Sequence, residues 1–171
     1  MKNIVLIGMP GTGKSVVGRA LAERLNFTFL DVDDIIMADA GKKLSEILRG
    51  EGLDAFLALE ERIGLELDVE RTVIATGGSM VLSAAAMEHL KEDAITVWLE
   101  TPISQIAERM PEDLWDRGIA ADRAMDIRKI YAQRKPYYNM YADLIVASRE
   151  GEDSTAHQVE EVMRIVGMQL S

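Results

Sequence analysis

Short, continuously apolar runs alternate along this chain with longer stretches in which apolar residues recur every three to four positions. Asn3–Ile7 is the first run, apolar at consecutive positions as in a strand buried on both faces. From Lys14 to Leu25 the period changes: Val17, Leu21 and Leu25 fall on one side of a helix. Thr28–Leu30 reads as a second strand, running into Asp31, Asp33 and Asp34. Short helices are predicted near Ile35–Ala40 and Leu44–Arg49, punctuated by Gly41, Gly50 and Gly52. A longer helix covers roughly Leu53–Asp68, with Phe56, Ile63 and Leu67 on its buried face. Thr72–Ala75, Ile95–Leu99 and Leu144–Ala147 are the third, fourth and fifth strands. Ala84–Leu90 is helical, and Pro102 suits the first turn of the helix after the fourth strand. Met110–Asp122 reads as a loop, and a helix starting near Ala124 is disturbed at Pro136. Asp153 or Ser154 caps a last helix striped by Val159, Val162, Met163 and Val166.

Strands separated by helices predict an α/β fold: one parallel sheet of five strands with helices on both faces, forming a single domain over residues 1–171. Ligands of such sheets bind beyond the carboxyl ends of the strands. Gly8, Asp31 and Gly77 mark those ends here.

Composition narrows the chemistry. With 19 Lys and Arg against 29 Asp and Glu the net charge is −10, which argues against nucleic acid or an anionic membrane as partner but leaves room for one local basic pocket. There is no cysteine, so disulfides, thiolate catalysis and thiolate metal sites are excluded. His89 and His157, read as exposed helix residues, are too few for a multi-histidine metal site or a serine–histidine triad. Carboxylate–metal chemistry remains open. No targeting segment or uninterrupted membrane-length run is visible, so the cytoplasm is the expected compartment.

Gly8-Met9-Pro10-Gly11-Thr12-Gly13-Lys14-Ser15 fits G-x-x-x-x-G-K-[ST] at the end of an apolar strand and the start of an amphipathic helix. A loop that wraps a phosphate chain with inward-pointing N–H groups needs backbone conformations that glycine adopts cheaply. Lys14 can bridge the β- and γ-phosphates, and the Ser15 hydroxyl can bind Mg²⁺. The loop alone predicts only a nucleoside triphosphate with Mg²⁺. No Asn-Lys-x-Asp guanine motif occurs, and the chain is short for a motor, which leaves a small-molecule kinase as the leading class. Two carboxylates beside such a loop have work to do: Asp31 and Asp33 share one side if the second strand extends that far. One can hold the metal and the other can orient an acceptor hydroxyl and take its proton. A helix N-cap at Asp33 or Asp34 accounts for one of the three aspartates. Gly77-Gly78, after the third strand, can offer amides to a substrate oxygen.

Taken together, these residues resemble the shikimate kinase family of phosphate-loop kinases. The matching pieces are the phosphate loop with Gly18 following, F-L-D-V-D at Phe29–Asp33, F-L-A-L-E at Phe56–Glu60 and V-I-A-T-G-G at Val73–Gly78. Arg117 and R-K-P-Y-Y at Arg134–Tyr138, before Tyr141-Ala142-Asp143, complete them in family order. The resemblance implies a mobile lid over about residues 110–123 and transfer of a phosphoryl group from ATP to the shikimate 3-hydroxyl by a monomer. It implies Lys14 and Ser15 at the phosphates and Mg²⁺, with Gly8, Gly11, Thr12 and Gly13 as the cradle. It puts Asp31 on the metal side, Asp33 at the substrate hydroxyls, and Gly77 and Gly78 in the substrate pocket. Arg117 would reach the transferred group from the lid, Arg134 would pair with the substrate carboxylate, and Arg109 would stack on adenine.

Three departures from the family pattern stand out. The family's F-R-x-x-E arginine is Leu57, its third loop glycine is Ser79, and its R-P-L lid triplet reads Arg117-Gly118-Ile119. Losing a charge-assisted contact weakens binding by about 1.5–3 kcal/mol, roughly ten- to a hundredfold. Either Arg134 and another cation suffice for shikimate, or the acceptor is a different small hydroxy acid or polyol. A regulator that binds ATP without transferring it is the remaining alternative. Arg123, Arg128 and Lys129 read as solvated, Trp115 as a lid residue that packs on closure or anchors the lid, and the methionines as core filler.

Overall fold

The computed structural model describes residues 2–149 and 154–170. Five parallel strands form its sheet: β1 Asn3–Ile7, β2 Thr28–Asp31, β3 Thr72–Ala75, β4 Ala94–Glu100 and β5 Leu144–Ala147. Their spatial order is β2-β3-β1-β4-β5. The helices are α1 Lys14–Leu25, α2 Val32–Ala40, α3 Leu44–Glu51, α4 Leu53–Glu66, α5 Ala84–Lys91, α6 Ile103–Glu108, α7 Ile127–Tyr141 and α8 Ser154–Leu170.

The continuous apolar run of β1 is explained by its two faces. Ile4 and Leu6 pack with Val17 and Leu21 of α1 and Val159, Val162 and Val166 of α8. Val5 and Ile7 point the other way, into a core shared with α2 through α7. Burial on both faces leaves no polar position for water, hence no alternation. The stripe on α8 is as expected; Asp153, one of its two candidate caps, lies outside the described residues.

Register brings the strand ends level. Leu6 pairs with Ala75, and Ala75 with Asp31. The next residues of β1, β2 and β3 therefore emerge side by side, at the point where the chain's order across the sheet reverses.

Several boundaries differ from the sequence expectation. β2 ends at Asp31 and α2 begins at Val32, so strand alternation does not place Asp31 and Asp33. α4 stops at Glu66, and Leu67 packs against the core from just beyond it. α7 starts at Ile127, capped by Asp126, whose side chain accepts from the Lys129 amide. It then runs on through Pro136 without interruption. A proline costs the helix one hydrogen bond, but Arg134, Tyr138 and Tyr141 around it are locked in the core. His89 and His157 are half-buried rather than exposed, and His89 Nε2 lies 2.6 Å from the Leu67 carbonyl.

A buried side chain knits β1 to the chain entering β3. Asn3 donates from Nδ2 to the Val69 carbonyl at 2.7 Å, and its Oδ1 accepts from the Thr72 amide at 3.0 Å. Asn3→Ala leaves both backbone groups without their partner, at about 1–3 kcal/mol each. Urea unfolding will show a lower midpoint for this variant with an unchanged slope.

Candidate active site

The phosphate loop leaves β1 at Gly8, whose φ is 149°. A Cβ there would stand 2.8 Å from the Leu99 carbonyl oxygen, so both the torsion and the space require glycine. The Thr12 hydroxyl donates to the Met9 carbonyl at 3.0 Å and braces the loop from within. Gly11, Gly13, Lys14 and Ser15 line a cleft of about 290 Å³, whereas Gly8 and Thr12 shape the loop from outside it. Lys14 is 9% exposed and folds back on its own loop, donating to the Gly8 carbonyl at 2.7 Å and the Met9 carbonyl at 2.8 Å. Burial pushes its pKa down to about 8; the charge of Asp33 opposes that shift and that of Arg134 adds to it.

Across the cleft, Asp31 is the N-cap of α2. Its Oδ1 accepts from the Asp33 amide at 3.0 Å, and its Oδ2 accepts from the Ser15 hydroxyl at 2.6 Å. Capping geometry thus brings Asp31 and Asp33 to the site, and the cap is Asp31 rather than Asp33 or Asp34, which fall in the first turn because α2 begins at Val32. Burial first, then the neighbouring Asp31, raises the pKa of Asp33 to about 6, against the pull of Lys14.

Gly77 and Gly78 form the floor. A Cβ on Gly77 would stand 2.8 Å from Glu60 Oε2 and 2.9 Å from Asp33 Oδ1. One on Gly78 would stand 2.9 Å from Arg134 Nη1 and 2.9 Å from Pro10 Cδ. Any side chain at either position would fill the space that two carboxyls and a guanidinium face. Arg134 is 1% exposed; its Nη2 donates to the Ala120 carbonyl at 2.6 Å, and its Nε has no partner. Arg117 reaches the same cleft from a 3-10 turn, Leu114–Arg117, in the segment expected to be loop. Arg109 sits at the rim, donating to the Gly11 carbonyl at 2.6 Å.

Two residues that shape this site, Glu60 and Tyr138, had no role assigned from sequence. Glu60 is 2% exposed, with Oε1 accepting from the Ser79 hydroxyl at 2.6 Å and Oε2 unpartnered. Burial raises its pKa to about 7, partly offset by the Ser79 bond. Tyr138 donates to the Gly78 carbonyl at 2.9 Å and stacks on Trp98 of β4, fixing the floor to the sheet. The available signal was a glutamate inside an apolar stripe, since Phe56, Glu60 and Ile63 share one face of α4. Leu57 lies outside the cleft, in a neighbouring recess that it lines with Leu82, Ser83, Glu60 and Ser79. Arg123, read as solvated, lies 4.2 Å above the Trp115 ring.

The cleft therefore sets Lys14, Arg117 and Arg134 against Asp31, Asp33 and Glu60 on a chain of net charge −10. Its charges balance, three cations against three carboxyls, so it is a mixed-charge cleft rather than the local basic pocket that the overall charge left room for. Among the described residues no group of three His, Cys, Asp or Glu is arranged to hold a metal. Magnesium does not require one, since it keeps several waters and takes one or two protein oxygens beside those of a phosphate. The Ser15 hydroxyl and Asp31 carboxylate, already in contact at the mouth of the loop, are the hard oxygen donors that fit it. No helix among the described residues is long and apolar enough to cross a membrane.

Comparison with known proteins identifies the family and the fold. A shikimate kinase family profile covers residues 10–165. A shikimate kinase of Persephonella marina is 37% identical over 153 residues, covering 89% of this chain and 92% of that protein. The chain is also 32% identical to part of mouse threonine synthase-like 1, covering 96% of this chain and 22% of that longer protein. In structure it is similar to the shikimate kinase of Acinetobacter baumannii solved with shikimate, with a TM-score of 0.86, 29% identity, and coverage of 100% of this chain and 96% of that one. The five-stranded parallel sheet is thus shared architecture, and the chain belongs to the shikimate kinase family.

Proposed function

We propose that this chain transfers the γ-phosphoryl group of MgATP to a hydroxyl of shikimate, as a monomer in the cytoplasm. The observation that carries this is one small cleft holding Lys14 of the phosphate loop opposite Asp33, with Arg134 behind them. The acceptor oxygen attacks the γ-phosphorus, the bond from that phosphorus to the β,γ-bridging oxygen breaks, and ADP departs with the bridging oxygen. The hydroxyl proton passes to the Asp33 carboxylate, whose pKa near 6 keeps it ionised yet basic enough to accept. Lys14 leaves its own loop carbonyls for the phosphates. Ser15 and Asp31 would hold the magnesium ion, which when bound neutralises charge on the terminal phosphates. The loop amides and Thr12 position the phosphate chain, Arg109 borders the adenine side, and Arg117 lies over the group in flight. Gly77 and Gly78 let the acceptor approach, and Arg134 offers its free donors to the acceptor carboxylate. Positioning and charge neutralisation supply most of the acceleration.

A second acceptor class, other small hydroxy acids or polyols, is favoured by one observation. Leu57 brings no cation to the cleft, leaving Arg134 on the acceptor side without help from α4. ADP release measured with shikimate and with a panel of hydroxy acids and polyols separates the two. Shikimate turnover far above the panel supports the first; a preferred polyol, or a gain of shikimate affinity in Leu57→Arg from a poor starting value, supports the second. ATP binding without turnover on any acceptor refutes both and leaves a nucleotide-binding regulator. Lys14→Ala will fold and lose transfer.

The raised and lowered pKa values set the pH profile. With acceptor and ATP both limiting, turnover will fall below pH about 6 as Asp33 takes up a proton, and above about 8 as Lys14 loses one. Saturating ATP will move the upper limb to higher pH, because phosphate anions favour the lysine cation. Asp33→Asn will lower kcat by about 10²–10⁴-fold and remove the acid limb.

A further inference from the structure

The lid makes a set of contacts outside the cleft that phosphoryl transfer, as described above, does not use. Asp113 caps the 3-10 turn, its Oδ1 accepting from the Trp115 amide at 3.0 Å. Trp115 Nε1 donates to the Ala121 carbonyl at 2.8 Å, and the Ile119 amide donates to the Leu114 carbonyl at 3.1 Å. These bonds, with Arg123 over the Trp115 ring, brace the lid as one piece.

Helix α3 is the seat of that piece. At its start, Leu44 lies so close that a Cβ on Gly118 would stand 2.6 Å from the Leu44 Cβ. Near its end, Arg49 Nη2 meets two lid carboxylates at once: Asp113 Oδ2 at 2.9 Å, and Asp116 Oδ1. The bond from Arg49 holds the Asp113 carboxyl below the usual carboxylate range. Arg117 follows Asp116 directly, lines the cleft, and donates from Nη1 to the Arg109 carbonyl at 3.2 Å. One face of the turn is thus tied to α3 while the other sends an arginine toward the phosphate loop.

We propose that Arg49 is a positioning residue for phosphoryl transfer: by bridging α3 to Asp113 and Asp116 it latches the lid in the pose that directs Arg117 at the phosphate loop. It touches neither nucleotide nor acceptor and acts through Arg117. All three side chains are exposed, so water and salt weaken the bridge. That suits a contact that must form and release in every turnover. Two carboxylates from one short turn converge on one guanidinium, and one of them also caps that turn. The Arg24–Glu160 pair, between α1 and α8, has neither feature.

The kinetic arm of the test rests on the proposed kinase activity; the spectroscopic arm does not. In Arg49→Ala, kcat will fall about three- to tenfold, the range set by an exposed bridge with two partners. The KM for ATP and the melting temperature will stay at wild-type values. Arg49→Lys will recover part of the loss. Added salt will lower wild-type kcat toward that of Arg49→Ala and leave the variant unchanged. Asp116→Asn will cost little more in the Arg49→Ala background than Arg49→Ala costs alone. MgADP will change the emission of Trp115, assigned by its disappearance in Trp115→Phe, and the change will be smaller in Arg49→Ala. Wild-type kcat and salt dependence in Arg49→Ala overturn the latch, as does a kcat loss matched by a lower melting temperature. If the wild-type protein turns over no acceptor, the activity is refuted alone, and the emission amplitude decides: an amplitude unchanged in Arg49→Ala overturns the latch, and a reduced one supports it.

Discussion

The carboxylate of Asp31 joins the two halves of the cleft. One oxygen caps α2 through the Asp33 amide, and the other takes the hydroxyl hydrogen of Ser15 in the first turn of α1. Two helices therefore begin within the reach of one side chain, each with unpaired N–H groups and positive partial charge at its start. The sheet makes the meeting unavoidable. Leu6, Ala75 and Asp31 lie level across β1, β3 and β2, so the chain leaving each strand enters the same space.

Burying that many charges together is costly unless each is paired, and the pairing here is deliberately incomplete. Lys14 leans on loop carbonyls, Arg134 on the Ala120 carbonyl, and Glu60 on Ser79. Yet Arg134 keeps a free Nε and Glu60 a free oxygen. Buried polar atoms without partners are rare in folded proteins. Two of them, on side chains of opposite charge, belong to the residues that face Gly77 and Gly78. The depressed lysine and raised carboxyls report the same condition, charges held in a space from which water is largely withdrawn.

The frame of this arrangement was legible in the sequence because it depends on local pattern. Five apolar runs read as five strands, and glycine spacing before Lys14 marked the phosphate loop. What was not legible depended on contacts between distant segments. Strand alternation was the wrong reason to expect Asp31 and Asp33 together, since the strand ends at Asp31 and a helix cap brings them together. Pro136 looked like a break, but Arg134 and Tyr138, anchored to the lid and to Gly78, hold α7 intact across it. Glu60 and Ser79 meet across 19 residues of sequence, and neither spacing nor composition signals that pair.

The position of β1 has a consequence for how the molecule divides rigidity from motion. Hydrogen-bonded on both sides and sealed above and below, it is the strand whose amides should be last to exchange with solvent. The nucleotide cradle grows directly from it and inherits that stiffness before any ligand arrives. Under the proposed latch, the lid hangs from exposed ion pairs at the periphery and is rebuilt with each catalytic cycle. Inherited variation can therefore retune the tempo of catalysis at the rim while the grip on the nucleotide stays as durable as the fold itself.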